Sequence, residues 1–286
     1  MADGPGRSGT RAGPWDGAEM TRDHQELDLG PLAGVTDRGL RHHRNEDAME
    51  LAVAQTEHGP VLLAVVCDGV STSSRPDEAS LAAAQAAARV LRAAAQAGTE
   101  LTAASAEAVR AAGDAVASLA ELPGSGPSAT YISAAVTSTE TTLCWLGDSR
   151  AYWLADPPDR AARRLTTDDS LAQEMVTAGL LEEDEALDSP HAHVVTRWVG
   201  AEPGDAAPHV ATFRPPGPGV LLLCSDGLWN YQPDAARLAE LALPTAQTDP
   251  LSAAKTLVKF ALEQGGRDNI TVVLAPYPAE RPAPPD

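Results

Sequence analysis

Five aspartates stand in sequence contexts that suit a metal or acid–base site. Asp68, Asp148 and Asp226 each end or interrupt an apolar run beside a glycine, and Asp47 and Asp268 lie close to asparagines. A single Asp-Gly after a strand is most often a turn, because Asp bonds its own backbone and Gly permits positive φ. A set of such sites with few lysines nearby favours a bound cation, since clustered carboxylates cannot all stay ionised without one.

The candidate ligands are oxygen atoms, which favours magnesium or manganese over zinc. His191 and His193 form a metal-like pair, but they lie in an acidic connector without a third ligand, and we expect a solvated loop there. Cys67, Cys144 and Cys224 sit singly inside apolar runs. Their odd number and spacing predict buried free thiols rather than disulfides or a zinc site.

The elements that must position these residues alternate in blocks. Apolar runs predict buried strands, and alanine-rich stretches that end at glycine or proline predict helices. Strands in separate blocks with paired helices between them favour sheets covered by helices over a parallel βαβ series. An irregular acidic connector at 182–192 is a candidate binding loop. The predicted strands are 61–67, 130–137, 143–146, 151–154, 220–224 and 270–274, and the predicted helices are 78–97, 102–120, 170–178, 234–241 and 251–264.

Charge and hydropathy exclude several classes of partner. The 286 residues carry 21 Lys and Arg against 40 Asp and Glu, a formal charge of −19. Such an acidic surface repels nucleic acid and anionic membranes. No run approaches the ~20 apolar residues of a membrane helix, and the first residues lack the apolar core of a secretory signal. We therefore expect a cytoplasmic protein, with flexible tails at 1–27 and a Pro-rich 276–286.

Five short motifs contain the candidate aspartates in a fixed order. They are Arg44-Asn45-Glu46-Asp47, Val66-Cys67-Asp68-Gly69, Gly147-Asp148-Ser149-Arg150, Ser225-Asp226-Gly227-Leu228 and Asp268-Asn269-Ile270-Thr271. In this order they resemble the metal-dependent type 2C (PPM) serine/threonine protein phosphatases of bacterial type. The resemblance covers about residues 33–275 and implies one domain, 28–275. The implied fold class is α+β, a four-layer αββα sandwich of two mainly antiparallel β-sheets flanked by helices.

The same resemblance implies site roles. Two Mn²⁺ or Mg²⁺ ions would be held by Asp47, Asp68, Asp226 and Asp268, helped by the Gly69 carbonyl. Glu46 would act through water, and Asp148 would help to hold a third, weaker ion. The catalytic role of the four aspartates would be exerted through water activated between the two ions.

Four departures from the family pattern stand out; the first two bear on function, and the last two are expected to be structural variations. His42 stands where the family usually has an arginine that binds the substrate phosphate. Arg41 or Arg44 would take that role here, and protonated His42 would contribute in part. The loop after Gly69 is rich in Ser and Thr and contains no histidine to act as general acid, which predicts slow turnover. Asp169 replaces the usual histidine of the flap region, and Ser128-Ala129-Thr130 replaces a Gly-Thr-Thr strand opening.

The leading hypothesis is a metal-dependent phosphatase acting on phosphoserine and phosphothreonine proteins beside a cognate serine/threonine kinase, as a monomer. A pseudophosphatase that binds phosphoproteins without turnover is the alternative. A calcium-stabilised structural protein is the third reading, but the sequence lacks the Asp-rich loop typical of such sites.

Overall fold

Two antiparallel sheets form the centre of the computed structural model, which describes residues 22–121, 126–155, 162–186, 189, 191–192, 194–200 and 207–278. One sheet runs in the order β1-β2-β13-β12-β8-β9, and the other in the order β11-β7-β6-β4-β3, while β5 and β10 form a short ribbon. The strands are β1 His24–Asp28, β2 Ala33–Asp37, β3 Asp47–Thr56, β4 Gly59–Asp68, β5 Ser128–Ala129, β6 Tyr131–Val136, β7 Thr141–Leu146, β8 Arg150–Ala155, β9 Arg163–Arg164, β10 Val199–Gly200, β11 His209–Phe213, β12 Gly219–Cys224 and β13 Ile270–Tyr277.

Side-chain alternation along the strands builds two of the core layers. In β4, Leu62, Ala64 and Val66 face the opposite sheet, where they join Leu221 and Val273. The intervening residues of the same strand pack against helices instead. Successive side chains of a strand point to opposite faces, so a continuous apolar run such as β4 is buried on both.

Pairs of long helices cover the outer faces. Helices α1 (Pro76–Ala97) and α2 (Leu101–Ala117) pack on the five-stranded sheet, and α6 (Ala235–Ala246) and α7 (Pro250–Glu263) pack on the six-stranded sheet. Their buried faces are largely alanine, which permits close approach to the strands. The αββα arrangement predicted from the sequence is confirmed.

Three shorter helices connect these layers. They are α3 (Leu171–Thr177), α4 (Glu183–Ala186) and α5 (Asp226–Trp229). The connector predicted as irregular therefore contains one turn of helix. None of the described helices is long and apolar enough to cross a bilayer.

The predicted tail boundaries are wrong by a few residues. His24–Asp28 forms an edge strand that pairs with β2. Its side chains alternate between exposed and half-buried, so none of them is fully buried. At the other end, β13 continues to Tyr277 because Pro276 and Tyr277 pair with the start of β12. Residues 1–21 and 279–286 of the predicted tails lie outside the described residues.

Two smaller predictions concern cysteine and histidine. Cys67, Cys144 and Cys224 are buried free thiols, as expected. His191 is exposed, whereas its predicted companion, His193, lies outside the described residues.

Candidate metal centre

Asp47 and Asp68 face each other at the end of a β-hairpin. Asp47 is the first residue of β3, Asp68 is the last residue of β4, and the two are direct partners in the antiparallel register. Directly opposed cross-strand residues lie within about 5.5 Å at Cβ. The hairpin therefore brings two acidic side chains together without help from the rest of the fold.

The second sheet contributes Asp226 and Asp268 to the same end of the sandwich. Asp226 begins α5 just after β12, and Asp268 precedes β13. The two sheets are tied together at Asp47, whose Oδ2 accepts hydrogen bonds from Ser225 Oγ at 2.8 Å and Thr271 Oγ1 at 2.7 Å. All four carboxylates interact electrostatically at this end.

Two carboxylate oxygens in this cluster are buried and have no hydrogen-bond partner among the described residues. They are Asp47 Oδ1 and Asp226 Oδ1. The other oxygen of Asp226 accepts from Asn230 Nδ2 at 3.1 Å. A buried acceptor without a donor is costly, so these oxygens are positioned for a cation.

Burial and mutual repulsion raise the pKa of Asp47, Asp68, Asp148 and Asp226. Burial, followed by nearby charges, raises the pKa of Asp47 to about 6 and that of Asp148 to about 7. The same causes hold the pKa of Asp68 and Asp226 well above the ordinary value. Near neutral pH the cluster therefore resists full ionisation without a counter-charge.

The donor set fits a hard divalent ion, although the side chains do not already enclose one. Among the described residues, no group of three His, Cys, Asp or Glu side chains is arranged so that it could hold a metal ion as it stands. Oxygen ligands, unpartnered buried acceptors and concentrated negative charge are what Mg²⁺ and Mn²⁺ require. Binding would therefore involve reorientation of the carboxylates.

Gly69 and Glu46 are held together beside Asp68. The Gly69 amide donates to the Glu46 carbonyl oxygen at 3.0 Å. A Cβ at position 69 would lie 2.3 Å from the Pro76 carbonyl oxygen, so only glycine fits here. The Glu46 carboxylate accepts from Arg44 Nε at 3.0 Å and from Ser71 Oγ at 2.5 Å.

Asp148 lies in the buried turn between β7 and β8. Its carbonyl oxygen accepts a hydrogen bond from Trp229 Nε1 at 2.9 Å. The Asp148 carboxylate also interacts electrostatically with Asp268, so the turn faces the carboxylate cluster. The structure thus brings all the predicted metal-site residues to one end of the sandwich.

The predicted substrate-binding residues form a basic loop beside this cluster. Arg41, His42, His43 and Arg44, with Glu46, line a surface depression of about 450 Å³.

Each side chain of the basic loop is engaged differently. His42 Nε2 lies 3.1 Å from Asp268 Oδ1. Arg44 is engaged by Glu46 and by Asp77, whose Oδ1 is 3.3 Å from Nη1. Arg41 is exposed, and no hydrogen bond or ion pair to it is found within the described part of the chain.

Several supporting residues were not predicted from the sequence. Ser225 and Thr271 fix Asp47, and Asn269 Oδ1 accepts from the Glu46 amide at 2.7 Å. All three lie close to aspartates inside the motifs quoted above, so the sequence pattern could have identified them as supporting residues. Arg22 has no such signal, yet its Nη2 donates to the Asp47 carbonyl at 3.0 Å.

Comparison with known proteins places this arrangement in a family. A family model described as protein phosphatase 2C matches residues 38–260. The serine/threonine phosphatase stp of Listeria innocua is 33% identical over 156 residues, which make up 54% of this chain and 58% of that protein. The chain belongs to the protein phosphatase 2C family, and the predicted resemblance is confirmed. The chain spans 58% of the length of this curated relative.

Solved structures share the fold over most of the described chain. The crystal structure of the serine/threonine phosphatase Stp1 from Staphylococcus aureus has a TM-score of 0.74 and 25% identity, covering 88% of this chain and 97% of that one. The catalytic domain of the serine/threonine protein phosphatase PstP, crystallised with two manganese ions, has a TM-score of 0.67 and 28% identity, covering 85% and 96%.

Proposed function

We propose that the protein is a Mn²⁺- or Mg²⁺-dependent phosphatase that hydrolyses phosphoserine and phosphothreonine in proteins. The observation that carries the proposal is the opposed Asp47–Asp68 pair joined by Asp226 and Asp268, with unpartnered buried oxygens on Asp47 and Asp226. The manganese ions in the PstP structure support the choice of metal. The name of PstP, a serine/threonine protein phosphatase, supports the substrate class, and a cognate serine/threonine kinase would supply that substrate.

The aspartates would hold two ions, and Asp148 would contribute to a third. Bound ions supply a nucleophilic water at neutral pH and neutralise the phosphoryl oxygens. Ser225 and Thr271 orient Asp47 by donating to its Oδ2. The hydroxyl donors leave Oδ1 of this carboxylate free to act as a ligand.

Arg41 is the better candidate of the two arginines to meet the substrate phosphate. Its guanidinium is exposed in the depression beside the carboxylates, whereas Arg44 is held by Glu46 and Asp77. His42 donates toward Asp268 when Nε2 carries the proton, so it is directed at a proposed ligand rather than outward. Because His42 stands where the family usually has an arginine, phosphate binding falls in this chain to the preceding residue, Arg41.

The primary test is phosphate release from para-nitrophenyl phosphate and from a phosphothreonine peptide. Each substrate is assayed with manganese, magnesium, calcium or chelator. Metal-dependent release that falls at least ~10²-fold in Asp226→Ala would support the proposal, because that variant removes charge from the ion site. A folded, manganese-loaded protein that binds the peptide but releases no phosphate would instead be a pseudophosphatase.

A second test separates the two arginines. Arg41→Ala should raise KM more than it lowers kcat, as loss of ground-state binding does. Arg44→Ala should change KM less, because its guanidinium is already engaged. Arg214, which pairs with Glu140 at 3.2 Å, gives a matched control, Arg214→Ala. Equal effects in Arg41→Ala and the control would remove Arg41 from the substrate site.

A further inference from the structure

Two described stretches, 170–171 and 194–196, pair with each other beside the turn that holds Asp148, and they form the base of segment 170–196. At its base, Leu171 N donates to Val194 O at 2.9 Å, and Ser170 bridges Val195. Asp169 precedes this segment and Arg197 follows it.

Asp169 fixes both backbone polar groups of the residue before Asp148. Its Oδ2 accepts from Gly147 N at 3.0 Å, and its own amide donates to Gly147 O at 2.9 Å. Gly147 has φ +104°, and a Cβ there would lie 2.8 Å from the Thr130 side chain. The turn is therefore confined on one side by Thr130 and on the other by a buried carboxylate.

The second oxygen of Asp169 contacts His209 of β11 and Arg197, which lies just before β10. Asp169 Oδ1 lies 2.8 Å from His209 Nε2 and 3.6 Å from Arg197 Nε. His209 belongs to β11 and stacks on Trp145, its partner in β7, with 4.8 Å between ring centroids. Trp145 Nε1 in turn donates to Thr167 O at 2.8 Å.

We infer that Asp169, supported by His209 and Arg197, is a positioning residue that holds the Asp148 turn and joins it to the base of segment 170–196. Asp169 does not touch the reacting atoms and acts through Gly147. The inference rests on the proposed function in one respect, the role of Asp148 as a metal ligand.

The direct test measures amide hydrogen exchange in the metal-free protein. Asp169→Ala should speed exchange of the 147–149 amides, because it removes the acceptor of Gly147 N–H. Asp169→Asn should have a smaller effect, since it keeps an acceptor of the same shape, and it serves if the alanine variant does not fold. Glu140→Gln, a carboxylate-to-amide change beside Arg214, is the matched control. Exchange in both Asp169 variants that equals the control would overturn the inference.

The second test titrates Mn²⁺ by calorimetry without substrate. The weakest Mn²⁺ site should lose about tenfold in affinity in Asp169→Ala, with partial rescue in Asp169→Asn, since groups that orient ligands typically contribute 10–100-fold. Asp148→Ala should weaken the same site. If Asp148→Ala weakens it but Asp169→Ala does not, the positioning role is wrong.

A different result would separate the two proposals. Unchanged Mn²⁺ binding in Asp148→Ala would remove Asp148 from the proposed metal site. The exchange experiment would then still decide whether Asp169 holds the turn.

Discussion

In the absence of metal, replacement of Asp47 by asparagine should stabilise the protein at neutral and alkaline pH. Burial and neighbouring carboxylates raise the pKa of Asp47 from 3.8 to about 6. The asparagine Oδ1 can take the place of Asp47 Oδ2 and accept the hydrogen bonds from Ser225 and Thr271. The asparagine NH₂ group then takes the place of Asp47 Oδ1, the buried oxygen that has no donor. The substitution therefore removes an unfavourable charge while keeping the side-chain shape.

The magnitude and sign follow from the two pKa values. A raised folded-state pKa means that the folded protein binds more protons than the unfolded chain, so stability falls as pH rises from 3.8 toward 6. With these values, the raised pKa of Asp47 costs about 1 kcal/mol of stability at pH 4.5 and about 3 kcal/mol at pH 8. The advantage of Asp47→Asn in metal-free protein should therefore grow by about 2 kcal/mol over this interval.

Urea unfolding in chelator at pH 4.5 and pH 8 measures this difference. The order should reverse in saturating Mn²⁺, because metal bound to the native wild-type site adds stability by mass action. Glu140→Gln provides the control for loss of one carboxylate at a more exposed position. An Asp47→Asn variant that is less stable than wild type in chelator at pH 8 would refute the reasoning about buried charge.

Three further changes probe the surroundings of the site. Arg22→Ala should weaken Mn²⁺ binding several-fold, measured by calorimetry, because the guanidinium holds the Asp47 carbonyl; unchanged binding would leave Arg22 a purely structural residue. Arg150→Met should cost up to about 3–5 kcal/mol in urea unfolding, since it removes the closest cation from buried Asp168 and leaves Arg164 at 3.6 Å, and adding Asp168→Asn should restore part of the loss. Ser71→Ala should raise the Mg²⁺ concentration needed for half-maximal phosphatase activity, because Glu46 loses the hydrogen bond from Ser71 that fixes its carboxylate. An unchanged Mg²⁺ requirement would exclude a role for Ser71 in positioning Glu46.

The sequence predicted the elements whose burial is uniform. Strands β4 and β12 are continuous apolar runs bounded by turns, and α1 and α7 carry clear apolar faces, so local pattern was sufficient. Strand β3 was missed because Asp47–Thr56 mixes acidic, polar and apolar residues along a half-buried surface. Strand β11 is short and largely half exposed, and its pairing with β7 depends on tertiary contacts that no local pattern encodes.

The site was predictable to the level of its acidic residues. Their glycine and asparagine neighbours mark strand ends, which is where the structure places Asp47, Asp68 and Asp268. The different states of Arg41 and Arg44 were not predictable, because the ion pair between Arg44 and Asp77 joins the loop to α1 across the fold. Spacing along the chain identifies candidate ligands, whereas the side chains that orient them come from distant segments.

The distribution of charge bears on how the proposed phosphatase, with a net charge of −19, would accept an anionic phosphate. Several basic groups nearest the cluster are already engaged: Arg22 by backbone carbonyls, His42 by Asp268, and Arg44 by two carboxylates. Arg41 alone cannot offset the repulsion of the four clustered aspartates. In the proposed function, the positive field that receives phosphate would therefore come mainly from bound cations. The acidic cluster that destabilises the metal-free protein would then also make substrate binding depend on metal.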